Sequence, residues 1–268
     1  MNEHGKRIKR LADVLAVILI IMIIGGILSA TGIIGTILSP SDSDAPVDAL
    51  TFRTEDIYEL DIEVGSAGIS ILKGDSIRIE ADSDSFKIKE KNGKISIDEK
   101  SGLFLLDTEK RITIYLPEDF YFQKASLETG ASGISGELLN TQYLELEIGA
   151  GLIELDELNV TKKADIDCGA GEFNLKKGTI TNLDFSLGVG SADISAELKS
   201  NADIENGVGD LKLKLTDSKD NYTFRVETGL GRISYDGAAV KGDTHLGSGA
   251  VNVKLEGGVG NVDIGFAQ

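Results

Sequence analysis

ADIDCGAGEFNL (residues 164–175) and LDFSLGVGSADI (183–194) share one form: an alternating apolar run, a Gly-x-Gly centre, and a second alternating run. The form recurs around them as ASLETGASGIS (125–135), LELEIGAGLIEL (144–155), ADIENGVGDLKL (202–213), FRVETGLGRISY (224–235), THLGSGAVNV (244–253) and GVGNVDI (258–264), with an early outlier, LDIEVGSAGISIL (60–72). The first glycines stand at 130, 149, 169, 188, 207, 229, 247 and 258, giving intervals of 19, 20, 19, 19, 22, 18 and 11. Self-similarity at a fixed short period marks a stacked repeat. The period-two placement of Leu144, Leu146 and Ile148, of Ala164, Ile166 and Cys168, and of Leu183, Phe185 and Leu187 marks strands. After the glycines the apolar side continues with Ile153 and Leu155, Phe173 and Leu175, and Ile194, and the alternation is read as keeping its phase across the corner.

A strand pair bent at a glycine corner cannot bury its apolar face alone, but stacking the next unit about 4.8 Å away buries that face and pairs the backbone. The expected fold is therefore all-β: a single-chain β-solenoid (a β-helix, right-handed as the preferred hand) with coils of about 19–20 residues. Gly149, Gly151, Gly169, Gly171, Gly188, Gly190, Gly207, Gly209, Gly229 and Gly231 form its column of corners. A β-sandwich has no reason to place Gly-x-Gly at a fixed interval. A calcium-binding nonapeptide roll fails on period, and GGVGNVD (257–263) has its aspartate one place late.

The regular repeats occupy residues 125–268, and residues 50–124 read as irregular first β coils or a β cap over the open edge. The N-terminal part is a different object. Residues 1–10 form a basic tail with Lys6, Arg7, Lys9 and Arg10, and no charge occurs from Val14 to Leu38. That run exceeds the ~20 residues a helix needs to span a bilayer, so 11–38 reads as a transmembrane signal anchor. A cleaved signal peptide is the rival reading, but its apolar region is normally only about 7–15 residues. The basic flank predicts a cytoplasmic N-terminus, a single pass and an extracellular C-terminal domain at the cell membrane. Residues 39–49 read as an exposed linker containing Pro40 and Pro46.

Forty-four acidic residues against 27 basic ones give a net charge of −17, which argues against a nucleic-acid surface. One Cys, two His and no Trp leave no disulfide framework, no Cys/His zinc site and little His-based catalysis.

The run Ile112-Thr-Ile-Tyr-Leu116-Pro117, then Phe120, then Leu127-Glu-Thr-Gly130-Ala-Ser-Gly133-Ile134, resembles the "putative adhesin" family of bacterial envelope β-strand-repeat domains, a domain of unknown function. The resemblance covers about residues 50–268 and implies a β-solenoid in the envelope, often membrane-tethered, with some relatives linked to envelope-stress responses. It carries no catalytic signature.

The outward positions hold the candidate site. Four residues before the central glycines stand Glu145, Asp165, Asp184, Asp203, Arg225 and Asp243; two before stand Glu128, Glu147, Asp167, Ser186, Glu205, Glu227 and His245. In register, these are two acidic ladders whose neighbours repel by ~0.9 kcal/mol each in bulk-water dielectric. They either bind divalent cations, Ca2+ first among them, or a basic partner, or they are a solvated face that keeps the rod soluble. Lys176, Lys177, Lys212 and Lys214 on the strand after the corner are expected to neutralise part of this field. Cys168 lies in the inward column and reads as an inert thiol, and Asn206 reads as held by a neighbouring coil's backbone. The chain is therefore expected to be a non-enzymatic module for adhesion or envelope interaction. Its partners would be the membrane and another envelope protein, a cationic peptide or a cell-wall polymer, with no cofactor. The second reading is an envelope-stress sensor that binds cationic peptides or cations. A polysaccharide-acting enzyme, with acidic residues on its β-helix flank, is the remote third.

Overall fold

The computed structural model describes residues 47–82, 85–100 and 110–267. These residues form 17 strands and two turns of 3-10 helix, with no α-helix among them. The basic tail, the expected 11–38 anchor and most of the 39–49 linker lie outside the described residues. No helix among the described residues is long and apolar enough to cross a membrane. The linker reading is shortened, because strand β1 already runs from Val47 to Phe52.

Strand β10 (Leu183–Leu198) shows how one coil is built. Leu183, Phe185 and Leu187 are buried on one side of the corner, and Ala192, Ile194, Ala196 and Leu198 on the other. The intervening polar residues face out, as a half-buried strand requires. Below it lies the second half of β9 (Leu139–Ile180) and above it β11 (Ala202–Leu215), both parallel and in register through the corner: Gly171, Gly190 and Gly209 stack directly. The alternation does not keep its phase at the corner. The inward set passes from Leu187 to Ala192, an odd step, because the bend turns the other side of the chain toward the core.

Both corner glycines are required by their neighbours. Gly190 has φ +146°, and a Cβ there would lie 1.8 Å from the carbonyl oxygen of Gly171. Gly188 has ordinary backbone, yet its Cβ would fall 2.3 Å from the Gly169 carbonyl oxygen. The departure at 130–133 is explained in the same terms: Ser132, not Gly133, stacks on Gly151.

The two ends do not follow chain order. At the start, β2 (Glu59–Val64) and β3 (Gly68–Lys73) pair on one side with β8 (Phe122–Gly136) and on the other with β6 (Lys94–Glu99) and β7 (Arg111–Leu116). The first coil in sequence is thus second in space. At the far end, β16 (Val251–Val259) and β17 (Asn261–Phe266) insert between β11 and the pair β12 (Tyr222–Glu227) and β13 (Arg232–Tyr235). The last coil in sequence is second from the end in space. Gly247 is therefore not a corner, contrary to the repeat reading. It closes β15 (Thr244–Gly247), which runs antiparallel to β12, and the true corner is Gly258-Val259-Gly260, paired with Gly207-Val208-Gly209. The odd interval of 11 arises from counting an edge strand as a coil.

Antiparallel strands cover both outermost coils: β5 (Phe86–Lys91) on β6, β4 (Ile77–Asp82) on β7 with β1 beyond it, β15 on β12, and β14 (Ala238–Val240) on β13. The outer edge of β5 carries Lys87, Lys89 and Lys91, charges that discourage edge-to-edge pairing. An aromatic cluster of Tyr222, Phe224, Tyr235 and Phe266, with ring centroids 5.3–6.3 Å apart, fills the last core layers. At the other end the amides of Gly65 and Ser66 have no earlier Gly-x-Gly corner to donate to. They donate instead to the Glu99 carboxylate at 2.5 and 3.1 Å, and Lys110 Nζ donates to its other oxygen at 2.9 Å.

Gly190→Ala should lose about 3 kcal/mol or more of unfolding free energy from strain and overlap, while Gly265→Ala, with nothing within 4 Å, should lose none. Denaturant midpoints of the two variants check this. Burial acts to raise the Glu99 pKa, but Lys110 and the Gly65 and Ser66 amides outweigh it, so the carboxyl sits below its usual range. A depressed acid pKa adds stability above the unfolded-state value, and that stability is lost as pH falls through the folded one. Glu99→Gln should therefore cost about 1–2 kcal/mol at neutral pH, with the gap closing in acid. Equal losses at both pH values would remove the ionised carboxylate from the explanation.

Candidate binding surface

The outward residues of the first face form two rows whose order is set by spatial stacking. The first row runs Asp61, Ser126, Glu145, Asp165, Asp184, Asp203, Lys254, Arg225, His245. The acids at 145, 165, 184 and 203 come together as expected. Insertion of β16 then places Lys254 between Asp203 and Arg225. Asp243 is not in this row; its carboxylate accepts the Thr228 amide at 3.0 Å. The row is substantially neutralised: Lys124 pairs with Glu145 at 2.7 Å, Lys163 with Asp165 at 3.1 Å and Asp184 at 3.9 Å, and Lys254 with Asp203 at 3.5 Å. Lys176, Lys177 and Lys212 do not serve it; they pair with Asp156, Glu157 and Asp193 along their own side of the corner.

The second row is more acidic than the spacing suggested. It runs Asp98, Glu63, Glu128, Glu147, Asp167, Ser186, Glu205, Glu256, Glu227. Glu63 and Asp98 extend it at one end, and Glu256 fills the place between Glu205 and Glu227. His245 is not in it, because it pairs opposite Arg225. Sequence reasoning missed Glu63, Asp98, Glu256 and Lys254, since only the out-of-order stacking brings them into line; the signal available was the outlier at 60–72. Arg225 pairs with Glu227 at 3.1 Å and Lys254 with Glu256 at 2.5 Å. No cation lies at ion-pair distance from Glu63, Glu128, Glu147 or Asp167 among the described residues, and all four are exposed.

Three residues on from this row the chain turns its corner and presents the middle residue of each Gly-x-Gly. Ala131, Ala150, Ala170, Val189, Val208, Val259 and Leu230 follow one another up the rod, and the last two are 46% and 85% exposed. The surface is thus an acidic row beside a narrow apolar ridge.

No three His, Cys, Asp or Glu side chains come together as a metal-holding group among the described residues. One carboxylate per rung leaves a cation at most the neighbours on either side, so the calcium expectation gains no built site. Cys168 is buried, and desolvation first, with the charge of Asp167 second, pushes its pKa up to about 12. Asn206 departs from its expected partner: its Nδ2 donates to Gly209 O of its own coil at 3.1 Å, and its Oδ1 has no partner among the described residues.

Burial, then the neighbouring Asp165, raises the pKa of Asp184, partly offset by Lys163. An acid with a raised folded-state pKa opposes folding when ionised. Asp184→Asn should therefore raise the thermal midpoint at neutral pH and leave it unchanged at a pH where Asp184 is protonated. Cys168 should resist a maleimide in the native chain and react fully once denaturant unfolds it; native labelling at the rate of a free thiol would contradict its burial.

A model of the family described as Toastrack DUF4097 matches residues 57–263. No curated protein matches the chain. Among solved structures, a "putative cell adhesion protein" from Clostridium sporogenes is 16% identical, with 83% of this chain and 99% of that chain covered at a TM-score of 0.36. A "putative adhesin" from Parabacteroides distasonis is 15% identical, with 82% and 98% covered at a TM-score of 0.40. A "putative adhesin" from Bacteroides fragilis is 11% identical, with 84% and 98% covered at a TM-score of 0.37. The matched span takes in every regular coil, the intercalated first coil and most of the last, and by it the chain belongs to the Toastrack DUF4097 family.

Proposed function

We propose that the chain is a non-enzymatic display module of the cell envelope. Residues 11–38 anchor it in the membrane with the N-terminus cytoplasmic, and the rod carries its acidic row outward to a basic partner. The observation that supports this reading is the run of exposed carboxylates at Glu63, Glu128, Glu147 and Asp167 without ion-pair partners among the described residues, on a scaffold with strands locked above and below. A fixed row of like charge at rung spacing attracts a cationic polymer along its length, and it does so without a conformational step. Such an encounter weakens steeply with salt.

The same surface serves a second reading, an envelope-stress sensor for cationic peptides, and the apolar ridge beside the row favours it. A basic amphipathic peptide has both a charged and an apolar side to offer. In this reading the bound peptide, not adhesion, is the signal.

Charge reversal separates these readings from a purely solvating role. Glu147→Lys, Asp167→Lys and Glu205→Lys combined should abolish binding of a polylysine probe by the full-length chain while the thermal midpoint holds. Unchanged affinity would return the row to solubility alone. For topology, a C-terminal tag on the full-length chain should be cut by protease added to intact cells, and protection of the tag would reverse the orientation.

A further inference from the structure

A second surface feature lies away from the corner, where the first row changes sign. A cavity of about 450 Å3 opens there between the coils of β10, β11, β16 and β12 and the overhanging β15. Along one side runs a row of amides and a hydroxyl set two residues before the charged row: Asn182, Asn201, Asn252 and Thr223 on successive rungs. Along the other run Asp184, Asp203, Lys254, Arg225 and His245, and Lys163 closes one end.

Both rows exist only through the out-of-order stacking. Insertion of β16 sets Asn252 against Asn201, with Asn252 Nδ2 donating to Asn201 Oδ1 at 3.3 Å. The same insertion puts Lys254 on Asp203, so that Arg225 does not have to neutralise that aspartate. Among the acids of the described residues Arg225 contacts only Glu227, and it keeps 62% of its side chain exposed. The amides are incompletely used. Asn182 Nδ2 donates to Lys162 O at 2.9 Å and Thr223 Oγ1 to Gly249 O at 2.7 Å, but Asn182 Oδ1, Asn252 Oδ1 and both Nδ2 protons of Asn201 have no partner among the described residues. Each amide supplies two donors and two acceptor sites, so the row offers mixed hydrogen bonding once per rung.

The chemistry of the lining selects a ligand class. Of the lining cations, Lys163 is paired with Asp165 and Asp184 and Lys254 with Asp203 and Glu256, whereas Arg225 meets Glu227 through one guanidinium nitrogen and leaves 62% of its side chain exposed. A guanidinium with free edges reads carboxylate or phosphate in a bidentate manner. Side-chain amides at regular spacing suit hydroxyl groups, which donate and accept at once. We infer that this groove is a binding site for an anionic saccharide, in which Arg225 takes the acidic group and Asn201 and Asn252 take the ring hydroxyls. The site is independent of the acidic row and of the function proposed for it.

Calorimetric titration of the full-length chain tests the assignment with three probes: oligogalacturonate for the carboxylated source, glucose 6-phosphate for the phosphorylated one, and an uncharged cello-oligosaccharide. At least one anionic probe should bind and the uncharged one should not. Arg225→Gln should weaken that binding about tenfold or more, as loss of a charge-assisted hydrogen bond does, and Asn252→Ala should weaken it several-fold, as loss of a neutral one does. Reversal at Glu147 and Asp167 should not weaken it. Arg225 is an exposed side chain, so its variant remains informative if Asn252→Ala disturbs the fold. Failure of both anionic probes to bind, equal binding of the uncharged oligomer, or affinity indifferent to Arg225→Gln would each overturn the assignment.

Discussion

At the corners of coils 149–151, 169–171, 188–190 and 207–209 the second glycine backs so closely onto the carbonyl oxygen of the coil beneath that a side chain does not fit there. A Cβ at Gly151, Gly171, Gly190 or Gly209 would fall 1.7–1.8 Å from that oxygen, well inside any real contact. This approach lets the strand bend sharply while both halves stay in register with the coils above and below. If the corners were wider, the two halves of a coil would splay. The inward residues of each half, such as Phe185 and Ile194, would then no longer share one core. Phe173 and Phe185 on adjacent coils, 5.3 Å apart between ring centroids, show how closely that core is filled.

Stacking that is regular in the middle creates a difficulty at both ends, since an open coil presents unpaired backbone and an uncovered core. The chain meets it in the same way twice. The first and last coils are each slipped under a neighbour, so β2–β3 and β16–β17 are bonded on both sides, and short antiparallel strands cover what remains outermost. Where the corner column begins, a half-buried carboxylate does the work of a missing coil. Glu99 accepts the Gly65 and Ser66 amides and is itself held by Lys110, with side chains only 11% and 16% exposed. Removing one member of this half-enclosed pair leaves the other charged and unpartnered, which costs more than losing a surface ion pair.

The same end rearrangement shapes the surface. In the first row it brings Lys254 to Asp203 and opens a groove lined by amides beside Arg225. In the second it adds Glu256 to Glu205 and Glu227 and so lengthens an acidic row. Like charges one rung apart repel, by ~0.9 kcal/mol per pair in bulk-water dielectric before screening by salt. The core is large enough to tolerate this, and the rod holds the carboxylates at a spacing they would not choose. A surface held in that state is suited to meeting an oppositely charged partner.

Much of this could be read from the chain alone. Period-two apolar residues and glycine pairs every 19–20 residues are local features, and they determined the all-β stacked fold, the central corners, the buried place of Cys168 and the middle of each acidic row: Glu145, Asp165, Asp184 and Asp203 in the first, and Glu128, Glu147 and Asp167 in the second. The phase slip from Leu187 to Ala192, the pairing of 202–208 with 253–259, and the reassignment of Gly247 to an edge strand were decided only in three dimensions. A repeat pattern says that each coil needs neighbours, and any coil with the same corner satisfies that need equally well. Which coils become neighbours is settled by covering the two open ends, a requirement of the whole stack that no single repeat records.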